Sequence, residues 1–273
     1  MGMDIVGKRI LVTGSSSGIG AALAEGLAER GAIVGLCGRR TERLEAVLAR
    51  CRAHAPDSQA WTIDLADLDG IDGFARRVID ELGGVDVLIN NAGIPKRRWA
   101  WELTGDVVDA VMRINYSSPV RLTLALLPHL IERRGAVVTV SSVAARLSPP
   151  AEAAYAASKA AVTAFCEGLR VDLGVAGVDL GVHVLNPGVV DTDLFSLPDN
   201  DASLADIAPE PVTAVVEPVI DLLRTGEFEA YVPAWFRDVT PAKFPDTSAY
   251  LEGSIAYTRD RLEQLGLNPG VNR

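Results

Sequence analysis

The chain has 273 residues, with 36 Asp and Glu against 26 Lys and Arg, giving a net charge of −10. So acidic a chain lacks the basic face a nucleic-acid binder needs, and no nucleic-acid partner is expected. Apolar residues make up 48% and charged residues 23%, a balance that buries a sizeable core and excludes a disordered chain.

Short β-branched runs alternate with longer helical stretches. Arg9–Thr13 (RILVT) reads as a strand and Ile19–Arg30 as a helix. Ile33–Cys37 with Thr41–Arg52, and Ala60–Asp64 with Leu68–Glu81, repeat the pair. Val85–Asn90 is a fourth strand, followed by two helical stretches near Thr104–Asn115 and Ser117–Arg133. Ala136–Ser141 is a fifth strand, Ala154–Leu173 a long helix and Leu180–Leu185 a sixth strand. Pro211–Thr225 reads as a helix and Glu229–Val232 as a last short strand. Strands buried on both faces read as continuous apolar runs, and regular β–α alternation predicts a mostly parallel sheet with helices on both sides. No composition break divides residues 1–273, so a single doubly wound α/β domain is expected.

Asp193–Glu210 (DLFSLPDNDASLADIAPE) departs from this rhythm. Long irregular insertions in compact domains are often lids, and residues 193–210 are expected to form a mobile one. Its Leu194, Phe195 and Leu197 would cover an apolar substrate while Asp199, Asn200 and Asp201 stay in water. Residues 240–273 form a C-terminal extension, with Pro241, Pro245 and Pro269 around an amphipathic piece, Ser248–Leu265. No run is long and apolar enough for a membrane span, and Met1–Lys8 lacks the pattern of a secretory signal. Cys37, Cys51 and Cys166 are scattered and the three His do not cluster, so neither a disulfide framework nor a metal site is expected. The expected setting is a reducing cytoplasm.

The first strand–helix junction reads Thr13-Gly14-Ser15-Ser16-Ser17-Gly18-Ile19-Gly20. Glycines there let the backbone turn tightly and approach a pyrophosphate, and the helix N-terminus offers free N–H groups to the anion. A plain Gly-rich turn is the alternative; the strand–turn–helix context favours dinucleotide binding. The second strand ends Cys37-Gly38-Arg39-Arg40, without the carboxylate that holds a free ribose 2′-OH. Arg pairs with phosphate, so NADP(H) is expected, with NAD(H) as the alternative. Asn90-Asn91-Ala92-Gly93 closes the fourth strand with small residues that suit close approach by a ligand. Tyr155 and Lys159, four apart, share a helix face. A nearby ammonium lowers a phenol's pKa toward that of a usable base. Ser142 precedes Tyr155 by 13 positions and could bond a substrate oxygen in the same pocket.

With these motifs in this order, the chain resembles a classical short-chain dehydrogenase/reductase. The matching residues are Thr13–Gly20, Asp64, Asn90–Gly93, Asn115, Ser142, Tyr155 with Lys159, and Pro187-Gly188 with Thr192, spanning roughly residues 7–192. The Tyr–Lys spacing differs from enoyl reductases of the superfamily, and the glycine spacing differs from the extended group. The resemblance implies a Rossmann-type fold and the following roles. Tyr155 is the general acid/base, Lys159 lowers its pKa and holds the nicotinamide ribose, Ser142 orients the carbonyl, and Asn115 holds a water in a proton relay. Gly14, Ser16, Ser17, Gly18, Ile19 and Gly20 cradle the cofactor. Asp64 and Leu65 lie at its adenine, and Asn91, Ala92 and Gly93 at its adenine-side ribose. Pro187, Gly188, Val190 and Thr192 border the nicotinamide. Arg39, with Arg40 beside it, takes the 2′-phosphate, and Gly38 leaves room for it. A homodimer or homotetramer is implied, built from the helices at Ser117–Arg133 and Ala154–Leu173, the second rich in small residues such as Ala156, Ala157, Ala164 and Gly168.

The expected function is interconversion of an alcohol and a ketone or aldehyde on a small-molecule substrate. Trp99, Trp101, Leu147, Leu194, Phe195 and Leu197 lean toward a hydrophobic one. A catalytically silent NADP-binding regulator is the alternative from another class, disfavoured because a sensor does not need Asn115, Ser142, Tyr155 and Lys159. His54, His129, His183 and Cys166 are expected to be structural.

Overall fold

The computed structural model describes residues 2–193 and 199–268. Its strands are β1 (Arg9–Thr13), β2 (Ile33–Gly38), β3 (Gln59–Thr62), β4 (Val87–Asn90), β5 (Ala136–Val140), β6 (Gly181–Pro187) and β7 (Glu229–Val232). They form one sheet in the order β3-β2-β1-β4-β5-β6-β7, every pairing parallel. The expected sheet was mostly parallel; among the described strands it is wholly so.

Alternate strand residues point to opposite faces, and the core divides accordingly. Ile10, Val12, Val34, Leu36, Val87 and Ile89 pack on one side against Leu23, Leu27, Leu44 and Val219. These come from α1 (Gly18–Glu29), α2 (Thr41–Arg52) and, later in the chain, the helix at Val216–Thr225. Leu11, Leu88 and Val137 pack on the other side against Phe74, Val78, Leu122 and Leu126, from α3 (Ile71–Leu82) and the helix at Ser118–Glu132. Burial on both faces is the reason these strands lack polar alternation. Each such Leu or Ile stabilises the fold by roughly 1.5–3 kcal/mol.

The two helical stretches expected after β4 are one continuous rod. α4 (Gly105–Met112) runs through a π-helical turn, Arg113–Ser117, directly into α5 (Ser118–Glu132). Such π turns often occur at functional sites, and Asn115 lies at the middle of this one. A four-residue helix, α6 (Ala144–Leu147), precedes the long α7 (Ala153–Ala176). The helix expected over Pro211–Thr225 begins as a 3-10 turn at Val212–Val215 and continues as α8 (Val216–Thr225). Beyond β7 come the short α9 (Phe236–Val239) and α10 (Thr247–Leu265). In α10 only Thr258 and Leu262 are buried.

After β1 the chain builds outward to β3, then returns to place β4 on the other side of β1. The loops leaving β1 and β4 therefore diverge, and a crevice opens at their carboxyl ends, where ligands bind in such sheets.

Candidate active site

That crevice is a cleft of about 470 Å³ running from the β1–α1 loop to the start of α7. At its outer end Gly14 has φ +65°, and an added Cβ there would lie 2.8 Å from the Ala92 Cα. A Cβ on Gly20 would lie 2.4 Å from Asn91 Nδ2 and 2.5 Å from the Gly14 oxygen. Both positions therefore need glycine. Ser17 is the N-cap of α1 but makes no side-chain cap bond, so the first N–H groups of α1 remain available to an anion. Thr13 ties the two loops together. Its Oγ1 accepts hydrogen bonds from Asn91 N (2.9 Å) and Ala92 N (3.0 Å). Asn91 Nδ2 in turn donates to the Thr13 oxygen at 2.8 Å.

At the end of β2 the two arginines differ. Arg40 Nη2 donates to Ser16 Oγ (2.9 Å) and Ser17 Oγ (2.6 Å), bracing the glycine loop. Burial, followed by the charge of Arg43, lowers its pKa. Arg39 lines the cleft and is exposed. Arg43 bonds Asp193 at 3.1 Å beside them. Asp64 and Leu65 line the cleft after β3, and the Asp64 carboxylate accepts from Ala66 N at 2.9 Å.

The inner end holds the acid–base candidates. Ser142 follows β5, and its Oγ is 3.3 Å from the Pro187 oxygen and accepts from Ala144 N at 3.1 Å. It lines the cleft together with Tyr155 and acts to lower that phenol's pKa. Lys159 is buried, donates to the Val140 oxygen at 2.8 Å and stands 5.8 Å from the Tyr155 ring centre. Asn115, also buried, does not line the cleft. It bonds both backbone groups of Ile94, and Ser158 Oγ at 3.0 Å. Ser158 donates to the Tyr155 carbonyl at 2.7 Å.

The expected lowering of the Tyr155 pKa by Lys159 is corrected here. Burial, reinforced by the charge of Glu152, pushes the Tyr155 phenol up, against smaller opposing contributions from Ser142 and Arg97. Burial lowers Lys159 to about 8. Low dielectric thus outweighs mutual stabilisation, because the ammonium faces a carbonyl and the ring rather than the phenol oxygen.

Every cofactor-binding and catalytic candidate except Asn115 lines this one cleft, including Ser16, Gly18, Ile19, Gly93, Gly188, Val190 and Thr192. Sequence reasoning missed Glu152, Arg97 and Ile63, which also line it, as does Phe236. Trp99 and Trp101 do not; they stack on each other with ring centres 5.1 Å apart. Leu147 does line it, while Leu194, Phe195 and Leu197 lie outside the described residues.

Of the residues expected to stay in water, Asp199 is exposed, whereas Asn200 and Asp201 are half-buried. Asp199 pairs with Lys96 at 2.6 Å and with Arg98. Asn200 Oδ1 accepts from Arg97 N at 2.8 Å, and the Asp201 oxygen accepts from Arg97 Nε at 2.8 Å. The run Lys96-Arg97-Arg98 is the basic complement that holds these residues. Across the base of the excursion Asp191 N donates to the Glu210 oxygen and Glu210 N to the Val189 oxygen, and Arg261 of α10 pairs with Asp206 at 3.0 Å. The histidines have structural partners: His129 Nε2 accepts from Val85 N and His183 Nδ1 meets the Glu227 oxygen. Cys166 is buried against Thr139.

Residues 8–201 match the family described as short chain dehydrogenase. The chain is 43% identical over 192 residues to the dehydrogenase/reductase SDR family member 7B of Bos taurus, a match covering 68% of this chain and 58% of that protein. It therefore spans less than two thirds of that relative's length. A short chain dehydrogenase from Burkholderia cenocepacia J2315, solved in complex with NADP, is 34% identical with a TM-score of 0.71, covering 81% of this chain and 91% of that one. A short chain dehydrogenase/reductase from Burkholderia phymatum, solved with NAD, shares the fold at a TM-score of 0.77 over 99% of both chains, with 23% identity.

Proposed function

This chain belongs to the short-chain dehydrogenase family, and from that membership we propose that it is an NADP(H)-dependent oxidoreductase interconverting an alcohol and a ketone or aldehyde. A nicotinamide cofactor fits the cleft through its glycine loop, the open N-terminus of α1 and the close approach at Gly14 and Gly20. The 2′-phosphate preference rests on Arg39 and Arg40 at the end of β2, where no acid stands, and the NADP-bound Burkholderia cenocepacia relative supports it. Arg40 braces Ser16 and Ser17, which leaves Arg39 as the uncommitted guanidinium among the described residues.

The observation that carries the catalytic reading is that Ser142, Tyr155 and Lys159 line one end of a single cleft, with Ser142 acting on the Tyr155 phenol. A substrate oxygen placed between the Ser142 and Tyr155 hydroxyls takes one hydrogen bond from each. When bound, the nicotinamide supplies hydride to the carbonyl carbon in reduction and accepts it in oxidation. Tyr155 Oη gives its proton to the carbonyl oxygen in reduction and recovers it in oxidation. A raised phenol pKa keeps Tyr155 protonated at neutral pH, the state that reduction requires. Lys159, which lines the cleft beside Tyr155, would hold the nicotinamide ribose. Asn115 acts at one remove, fixing Ile94 and, through Ser158, the backbone of Tyr155.

We further propose a homodimer or homotetramer. Ala157, Ala164, Gly168, Val171 and Val175 form an exposed stripe along α7, small enough at one end for a second helix to approach. Ala156 is buried against the chain's own fold and does not join it. The reading places the chain in the cytoplasm, where the buried free thiols Cys37, Cys51 and Cys166 stay reduced. A panel of steroid, acyl and sugar ketones, followed by NADPH and NADH oxidation, tests the function. The reading expects turnover of at least one class with NADPH favoured. No turnover with either nucleotide would reject it.

A further inference from the structure

Glu152 is the N-cap residue of α7, one turn before Tyr155, and lines the cleft. Positions 152, 155 and 159 share one helix face, so Glu152 continues the row formed by the acid–base pair. Among the described residues its carboxyl has no hydrogen-bond or ion-pair partner. Arg97 reaches it only as a longer-range charge, and Arg97 Nε is committed to the Asp201 oxygen. Apolar side chains, among them Ile114, Leu147 and Pro149, line the same cleft.

A half-buried carboxyl in such a cleft is costly unless something hydrogen-bonds it. Burial raises its pKa to about 7, against a smaller opposing pull from Arg97. Near neutral pH the group therefore donates in one protonation state and accepts in the other. A hydroxyl can satisfy either. An anionic substituent would be repelled by the carboxylate, and an alkyl group would leave the carboxyl unpartnered. Glu152 precedes Tyr155 by three residues, about 4.5 Å along the helix axis, so its partner belongs on a carbon close to the reacting one.

We propose that Glu152 is a specificity-determining residue that receives a hydroxyl carried beside the reacting carbonyl. Hydroxyketones, and the diols they interconvert with, are then the preferred substrate class. The inference rests on the carbonyl–alcohol reading above.

The test compares 2-hydroxyacetophenone with acetophenone on NADPH-loaded wild type, Glu152→Gln and Glu152→Leu. The ratio of their kcat/KM values cancels any uniform loss of active protein. A site built to bond a substrate hydroxyl discriminates against the analogue lacking it. Wild type should favour the hydroxyketone at least tenfold, mainly through KM. Glu152→Leu should bring the ratio close to one, and the amide of Glu152→Gln, which still donates and accepts, should leave it intermediate. Equal handling by wild type, or an unchanged ratio in Glu152→Leu, would overturn the proposal. A role confined to the charge on Tyr155 would shift the pH profiles of both ketones together and leave their ratio fixed. If wild type reduces neither ketone, the carbonyl reading fails for this class. Equilibrium binding of the same ketones to the NADPH-loaded protein then decides the role of Glu152, with equal affinities counting against it.

Discussion

Three groups on one face of α7 sit in a low-dielectric cleft, and burial moves each toward its uncharged form. Glu152 rises to about 7, Tyr155 rises and Lys159 falls to about 8. These shifts are also statements about stability. Between its ordinary value of 4.5 and about 7, the folded chain keeps a proton on Glu152 that the unfolded chain releases. Stability therefore falls as pH rises through that window, and the loss persists above it. Glu152→Gln should raise Tm at pH 8 and converge with wild type near pH 4, as thermal melts at both pH values would show. A gain of 1 kcal/mol would move Tm by about 2–4 °C in a domain of this size. Lys159 has the opposite sign: between about 8 and 10.5 the unfolded chain holds the extra proton, so its contribution grows with pH. At the outer end of the cleft, Arg39→Asp removes a phosphate partner and adds a repelling carboxylate. The kcat/KM ratio of NADPH to NADH should fall at least about tenfold. An unchanged ratio would remove Arg39 from phosphate recognition.

At the scale of elements, the residues after β4 and the excursion after β6 hold one another. Lys96 and Arg98 grip Asp199, while Arg97 binds Asn200 and Asp201. Ion pairs with an exposed partner contribute roughly 0–1 kcal/mol each, so these contacts hold residues 199–201 without locking them. Asp199→Ala should speed hydrogen exchange at the Asp201 amide, which donates to the Arg97 oxygen. Binding of NADPH with a substrate analogue should restore part of the protection. Exchange unaffected by either change would count against a lid. These contacts show where sequence reading stops. Lys96-Arg97-Arg98 carries no signal of its own in the sequence, because its partners lie about a hundred positions away. Glu152 is similarly hidden, since one Glu among alanines is ordinary on an exposed helix face and only the cleft buries it. The π turn at Arg113–Ser117 has no composition signature. Motifs that carry their own geometry are legible: Gly14 with Ser16–Gly20, Asn91–Gly93 and Tyr155 with Lys159 line the cleft because strand–turn–helix connections fix where they fall.

For the molecule as a whole, continuous apolar strands and strict β–α alternation foretell a doubly wound sheet, and the order β3-β2-β1-β4-β5-β6-β7 puts its crevice between β1 and β4. Among the described residues no helix is long and apolar enough to cross a membrane. The outward face of α7 leaves Val171 63% and Val175 87% exposed. Light scattering at micromolar concentration should give a dimer or tetramer, and Val171→Asp with Val175→Asp should lower the mass toward that of one chain. A monomeric wild type would reject the assembly. On the proposed function, Tyr155 delivers the proton in a carbonyl reduction at the inner end of this cleft. The most direct test is single-turnover reduction of a ketone found active in the panel, by NADPH-loaded wild type and Tyr155→Phe, with NADPH affinity measured for both. The account predicts matched NADPH binding and a Tyr155→Phe rate lower by roughly 100- to 10,000-fold. A Phe variant that binds NADPH and reduces the ketone at the wild-type rate would contradict it.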